Sequence, residues 1–190
     1  MQKYQNQENG LGDVPELAAV YAAMEQCYNR ITGRDDTQIQ YNISNNELDA
    51  AYTDEAGQRM RIPINQMSAG YKSTISLVAD IAYRMAVLNP QLLDRALSEA
   101  SGIVLIDEVD LHLHPAWQQR ILRDLTEIFP KVQFIVTTHA PKVINAVSRE
   151  SVVVLEGHRA ILAPAETYGK DANGILRTIM RVKERPQAVM

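Results

Sequence analysis

The spacing of apolar residues divides the chain into three stretches of different period. From Val14 to Ile31 apolar residues recur at helical spacing, and Gly33 ends the stretch. Between residues 38 and 64 apolar and polar residues alternate around turn residues, which predicts a small antiparallel sheet. From Ser68 onward helical segments alternate with short apolar runs, the pattern of a parallel α/β sheet.

The α/β stretch is predicted to contain three strands. Ser68 is placed as the N-cap of a helix that Asn89 and Pro90 end, and a second helix is expected over 92–100. Strands are expected at 103–106, 132–136 and 152–155. Helices are expected from Pro115, over 141–147 and over 172–182. On the Pro115 helix one face is predicted to carry Trp117, Ile121, Leu125 and Ile128. The run 103–106 is wholly apolar and the run 132–136 is apolar except at Gln133, so we expect both strands to be buried.

Composition narrows the class of protein. A chain of 190 residues with 46% hydrophobic residues fits one globular domain or most of one. The net charge of −4 argues against a nucleic-acid surface over the whole chain, though a local patch stays open. One cysteine, Cys27, allows no internal disulfide and fits a reducing compartment. With no apolar run of membrane-spanning length and no signal-peptide core, we expect a cytoplasmic protein without a membrane partner.

The apolar run 103–106 ends abruptly in two adjacent carboxylates, Asp107 and Glu108. Unpaired charge at the end of a buried strand is costly. A cation and a water at the strand tip would explain the pair: Asp107 would help to hold Mg²⁺, and Glu108 would polarise the water. The plain alternative is a strand that enters a solvated loop, where acids are common.

The apolar run 132–136 ends in polar residues that lead to His139. Neighbouring parallel strands end at the same edge of a sheet, so His139 is expected near Asp107 and Glu108. There it can donate a hydrogen bond to a terminal phosphate. The alternative is that His139 caps the helix that begins near Pro141.

Small residues open the helix predicted after Ser68. The amides at a helix N-terminus are unpaired and attract anions, and Ala69 and Gly70 would let a phosphate approach the backbone closely. Taken alone, these residues also fit an ordinary capped helix.

In their order along the chain, these motifs resemble the C-terminal half of an ABC-type ATPase head. Residues 67–70, Met-Ser-Ala-Gly, match the signature motif LSGG with Met for Leu and Ala for the first Gly. Residues 103–108 match the Walker B motif, residues 111–115 the D-loop and His139 the switch histidine. Three segments, SAGYKS, LIDEVDLHLHPAWQ and FIVTTHAP, are similar to the sequences of the RecF/OLD-related AAA-family ATPases of bacteria, which include PtuA-type anti-phage defence ATPases. The resemblance runs from about residue 39 to 185.

The resemblance implies an α/β class, a partial P-loop NTPase fold of three layers with a small antiparallel β region. The chain then divides into a polar tail (1–13), a helix with the antiparallel region (14–66) and the signature, Walker B and switch-histidine part (67–190). ATP and Mg²⁺ are the implied cofactors. The implied site residues are Glu108 and His139 (catalytic), Asp107 (Mg²⁺ through water), and Ser68, Ala69 and Gly70 (nucleotide).

The resemblance also implies partners and a process. Two heads of this family sandwich ATP, so a second copy of the head is the implied partner, and the signature serine serves the nucleotide of the other head. A nuclease or toxin subunit and nucleic acid are further partners that the family allows, in DNA repair or anti-phage defence.

The sequence contains no phosphate-binding loop of the form G-x-x-x-x-G-K-[ST]. Tyr71 separates Gly70 from Lys72, and Asp171 follows Gly169-Lys170. We therefore expect the chain to be the C-terminal part of a head, with negligible turnover alone.

Two other classes of function stay open from the sequence. A metal-dependent hydrolase could use Asp110, His112 and His114, with Glu108 and His139 close by, as zinc ligands. A non-catalytic assembly module would keep the ATPase shape and hold a nuclease or a nucleic acid.

Overall fold

The computed structural model describes residues 15–180. The predicted tail at 1–13, Val14 and the predicted last helix beyond residue 180 lie outside the described residues. The chain forms two compact units. The first contains residues 15–105 and 123–135, and the second contains residues 106–122 and 136–180.

Two long helices form the larger part of the first unit. Helix α1 spans Pro15–Thr32 and helix α2 spans Ala69–Leu88, with Ser68 as its N-cap. Tyr28, near the end of α1, contacts Tyr71, near the start of α2, with ring centroids 6.1 Å apart. Since the two helices pack together, this contact shows that they run antiparallel. Both helices confirm the sequence prediction to within a residue.

The predicted antiparallel sheet is confirmed in the first unit. Strands β1 (Gln38–Asn42), β2 (Glu47–Thr53) and β3 (Arg59–Pro63) pair in the order β1-β2-β3. The buried Ile39 lies opposite the buried Ala50, and its amide donates to Glu25 of α1 at 2.9 Å. The sheet is therefore anchored on α1 by both apolar burial and a hydrogen bond.

The single helix predicted over 92–100 is wrong. The chain instead forms a 3₁₀ segment, Pro90–Arg95, followed by the short helix α3, Ala96–Glu99. Leu93 has a φ of +49° and a ψ of −121°, so its backbone cannot continue a right-handed helix.

Strands β4 (Gly102–Ile106) and β5 (Val132–Val136) form a two-stranded sheet. Residues directly after β4 bond to Thr137, directly after β5, so both strands end at the same edge, as parallel strands do. The expected burial of these strands is wrong for part of the sheet. The side chains of three apolar residues, Ile103, Leu105 and Ile135, are 61%, 75% and 51% exposed. Among the described residues, none covers them.

The helix predicted from Pro115 is interrupted. Helix α4 spans Pro115–Gln118, and α5 spans Ile121–Ile128. Ile121, Leu125 and Ile128 are buried as expected, whereas the half-buried Trp117 belongs to the separate short helix. The sequence periodicity identified the apolar positions but missed the turn at residues 119–120.

The second unit contains a hairpin that the sequence analysis only half identified. Helix α6 (Pro141–Ile144) is followed by β6 (Val153–Glu156), β7 (Arg159–Leu162) and α7 (Ala172–Thr178). Strands β6 and β7 pair antiparallel through Gly157 and His158, which both have positive φ, as a two-residue hairpin turn requires. A small core of Ile144, Ala163, Ile175 and Ile179 joins α6, α7 and the end of β7. Among residues 15–180 we find no helix with the length and apolarity to cross a bilayer.

Phe129 provides a test of the first unit's core. It is fully buried, and its ring lies 6.3 Å from that of Phe134. Replacing Phe129 by Ala should lower the free energy of unfolding by about 3–5 kcal/mol, because it removes buried area and leaves a cavity. Urea denaturation measures the loss. The control Leu155→Ala, at a side chain that is 77% exposed, should change stability by less than about 0.5 kcal/mol. Equal effects of the two changes would contradict the assigned core.

Cys27 provides a second test, through its reactivity. Burial in α1 raises the pKa of its thiol to about 12, the charge of Asp124 adds to the rise, and Arg30 opposes it. The folded chain should therefore resist iodoacetamide at about pH 8 and react fully in urea. As pH rises, the thiol ionises in the unfolded chain before it does so in the folded chain. Ionisation therefore favours the unfolded chain, and the free energy of unfolding should fall as pH rises from 9 towards 12. Rapid labelling of the native chain, followed by mass spectrometry, would contradict this burial.

Candidate functional site

Asp107 and Glu108 follow β4 directly, and both are exposed. The cost expected for acids at the end of a buried strand therefore does not arise in this structure. The two carboxylates instead stand at the open edge of the sheet, where a solvated cation could reach them.

Thr137, the first residue after β5, joins the two strand ends through four hydrogen bonds. Its amide donates to the carbonyl of Ile106 at 2.9 Å, and its carbonyl accepts from the amide of Val109 at 3.0 Å. Its hydroxyl donates to Oδ1 of Asp107 and accepts from the amide of Glu108 at 2.8 Å. One threonine thus holds the main chain on both sides of the acid pair and orients the first carboxylate.

The backbone at Glu108 is in the left-handed region, with a φ of +51°. For a residue other than glycine this conformation costs roughly 1–3 kcal/mol and persists only where surrounding bonds hold it. The Glu108 carbonyl accepts from Leu111 at 2.9 Å, and the Asp110 carbonyl accepts from Leu113 at 3.0 Å. Two linked turns therefore follow β4, and His112, with a φ of +63°, lies in the second.

His139 is exposed, and its backbone is tied to the loop that follows β4. The Thr138 hydroxyl donates to Oδ1 of Asp110, and the His139 amide donates to the same oxygen at 3.3 Å. Thr138 Oγ1 also accepts from the amide of Ala140 at 3.0 Å. The N-cap of α6 is Ala140, without a side-chain cap bond, so the alternative in which His139 caps this helix is not formed.

The structure thus brings Asp107, Glu108 and the backbone of His139 to one edge of the sheet. Sequence reasoning missed the residues that hold them there, which are Thr137, Thr138 and Asp110. The two hydroxyls between an apolar strand and a histidine were the available signal, because threonine can donate and accept in the same place.

Ser68, Ala69 and Gly70 belong to the first unit, whereas the acids and His139 belong to the second. Ser68 has the extended conformation of an N-cap, but its side chain makes no capping hydrogen bond. Ser68 and Ala69 are exposed, and Gly70 is buried. The hydroxyl of Ser68 is therefore not explained by helix capping.

The residues considered as zinc ligands do not assemble. The carboxylate of Asp110 accepts hydrogen bonds from the Thr138 hydroxyl and the His139 amide. Nδ1 of His114 accepts from the amide of Ala116 at 3.2 Å, as the N-cap of α4. Within residues 15–180 no three His, Cys, Asp or Glu side chains come close enough to hold a metal ion. Nothing in the described geometry supports the metal-hydrolase alternative.

Comparison with known proteins gives a consistent family. Residues 2–145 match the family described as "AAA domain, putative AbiEii toxin, Type IV TA system". Over 125 residues the chain is 39% identical to the "Retron Ec83 probable ATPase" of Escherichia coli. Over 129 residues it is 44% identical to the "Retron Vc95 probable ATPase" of Vibrio cholerae serotype O1 biovar El Tor. Each alignment covers 66% of this chain but only 23% and 24% of the respective relative.

The chain is also similar to a further protein over a shorter stretch of sequence and to a solved structure in its fold. The "Septu protein PtuA" of Bacillus mycoides (strain KBAB4) is 41% identical over 92 residues, which are 48% of this chain and 12% of that protein. A structure from a study titled "Structural biochemistry of ATP-driven dimerization and DNA stimulated activation of SMC ATPases" superposes with a TM-score of 0.51 at 18% identity. The superposition covers 88% of this chain and 94% of that one.

The resemblance and the fold class expected from the sequence are confirmed. The chain spans about a quarter of the length of the retron ATPases that it matches. With 144 consecutive residues inside the family match (2–145) and the α/β architecture of an ATPase head, the chain belongs to this AAA-domain family of ATPases.

Proposed function

We propose that this chain is part of an ABC-type ATPase head in which Asp107, Glu108 and His139 act on one bound ATP. The observation that carries the proposal is the bonding of Thr137, which joins the acid pair after β4 to the segment that leads to His139. Membership of the AAA-domain family supports ATP as the ligand.

The donor set of this edge suits a nucleotide with Mg²⁺, whose phosphoanhydride bond would be the one cleaved. Magnesium takes oxygen ligands and keeps several waters, which fits the exposed carboxylate of Asp107 as a partner through water. Glu108, the next residue and also exposed, would accept a proton from the attacking water. His139 would donate a hydrogen bond to the terminal phosphate, where negative charge develops.

Phosphate binding is assigned to a segment outside these 190 residues. The sequence has no phosphate-binding loop, and the side chains of Ile103, Leu105 and Ile135 are largely exposed. In parallel sheets such apolar side chains are covered, so another part of the polypeptide or a separate subunit would pack there. The chain alone should then bind ATP weakly and hydrolyse it negligibly.

A second copy of the head is the proposed partner for Ser68, Ala69 and Gly70. These residues open the 20-residue helix α2, whose N-terminal amides favour an anion. The Ser68 hydroxyl is not engaged in capping, so it could contact the phosphates of a nucleotide held mainly by the other copy. This arrangement keeps residues 67–190 as the ATPase part and 14–66 as its helix and antiparallel region.

The cellular role proposed for this ATPase is anti-phage defence rather than DNA repair, in the cytoplasm. The support is the identity of 39–44% with two retron ATPases and a Septu protein. Closure of the ATP-bound dimer would act on a nuclease or toxin subunit, with nucleic acid as a further ligand.

Glu108→Gln tests hydrolysis in the intact assembly, purified through a tag on this chain. The change removes the proton acceptor and keeps the shape, so kcat should fall by about 10²–10⁴-fold while ATP stays bound and the dimer accumulates. Steady-state ATPase assays and size-exclusion chromatography measure both effects. Glu55→Gln, at an exposed position in the turn between β2 and β3, should behave as wild type. Unchanged turnover in Glu108→Gln would favour the non-catalytic assembly module.

Ser68→Ala tests the assignment of this residue to a second nucleotide. Because the hydroxyl makes no cap bond, the free energy of unfolding should change by less than about 0.5 kcal/mol. The ATPase rate of the intact assembly should nevertheless fall at least tenfold. Asp171→Ala is the matched control, because Asp171 does cap α7 by accepting from Gly174 at 2.9 Å. It should cost about 1 kcal/mol and leave turnover unchanged. Full activity of Ser68→Ala would contradict the assignment.

A further inference from the structure

We propose that Thr138 and Asp110 form a positioning pair that fixes His139 relative to the acidic loop after β4. The inference rests on the role proposed above for His139. It concerns two residues that do not contact the reacting atoms in that mechanism and act through their neighbours.

Asp110 collects two donors from the segment after β5. Its Oδ1 accepts from the hydroxyl of Thr138 and from the amide of His139 at 3.3 Å. The Asp110 residue is half-buried, and hydrogen bonds to a carboxylate are stronger than those between neutral groups. The carboxylate therefore fixes the main chain at the residue that carries the imidazole.

Thr138 uses its hydroxyl in both directions. It donates to Asp110 and accepts from the amide of Ala140, the N-cap residue of α6. His139 lies between Thr138 and Ala140 in the chain, and the Thr138 hydroxyl bonds to the amide of Ala140 on one side and to Asp110 on the other. Removing that hydroxyl would free the segment while leaving the strand before it intact.

The pair also links His139 to Glu108. Asp110 lies in the two linked turns that begin at the Glu108 carbonyl and end at Leu113. A shift of Asp110 would therefore disturb the strained backbone of Glu108 and the position of His139 together. The neighbouring Thr137 bonds to Asp107 and Glu108. Of the two consecutive threonines, Thr137 therefore positions the acid pair and Thr138 positions His139.

Thr138→Val and Thr138→Ser form the matched test, because valine keeps the shape and serine keeps the hydroxyl. In this chain, hydrogen exchange at the His139 amide should accelerate at least tenfold in Thr138→Val. The His139 ring resonance in a ¹H–¹³C spectrum should shift, while that of His158, in the turn between β6 and β7, stays in place. Thr138→Ser should match the wild type in both measurements.

Turnover of the intact assembly separates positioning from general destabilisation. Thr138→Val should lower kcat at least fivefold with KM within twofold, and Thr138→Ser should restore kcat. Asp110→Ala should lower kcat similarly, and the double variant Thr138→Val/Asp110→Ala should be no slower than the slower single variant, because both remove one unit.

Four results decide between these outcomes. Wild-type exchange and ring signals for His139 in Thr138→Val would overturn the pair, and so would equal losses of kcat in the valine and serine variants. If Glu108→Gln keeps wild-type turnover, the proposed function fails, and the exchange and ring signals alone then decide whether the pair fixes His139. If Glu108→Gln is inactive but Thr138→Val is fully active, the proposed function stands and the positioning role fails.

Discussion

The hydrogen bonds of Thr137 are the constraint on which the candidate site depends. A parallel pair of strands brings two loops to one edge, but it does not fix where their side chains lie. Thr137 does so by bonding the main chain at Ile106, Glu108 and Val109 and the carboxylate of Asp107. Because these bonds use both the backbone and the hydroxyl, they hold Glu108 in a backbone conformation that it would otherwise avoid. The strain at Glu108 is thus explained by the site that surrounds it.

Much of the local structure followed from the sequence because short-range signals agree there. Helical spacing with a capping serine predicted α2, and alternation with turn residues predicted the sheet β1-β2-β3. The edge that carries Asp107, Glu108 and His139 was also predictable, because abrupt changes from apolar to polar residues mark strand ends.

The remaining features depend on contacts that one segment cannot reveal. Apolar composition predicted burial for Ile103 and Leu105, but burial needs a covering layer, and the described residues do not provide it. The non-helical backbone of Leu93 interrupts one predicted helix, and the turn between α4 and α5 interrupts another, although the apolar spacing of both is uninterrupted. Asp110 and His114 looked like metal ligands because of their spacing, whereas in the structure they accept hydrogen bonds from other residues.

The central claim is that Asp107, Glu108 and His139 surround the phosphates of one ATP. The most direct measurement is a structure of the intact assembly with Mg²⁺ and a non-hydrolysable ATP analogue. We predict Mg²⁺ linked to Asp107 through a bound water, a second water beside the carboxylate of Glu108, and His139 in contact with the terminal phosphate. A nucleotide bound without contact to any of these three side chains would contradict the account.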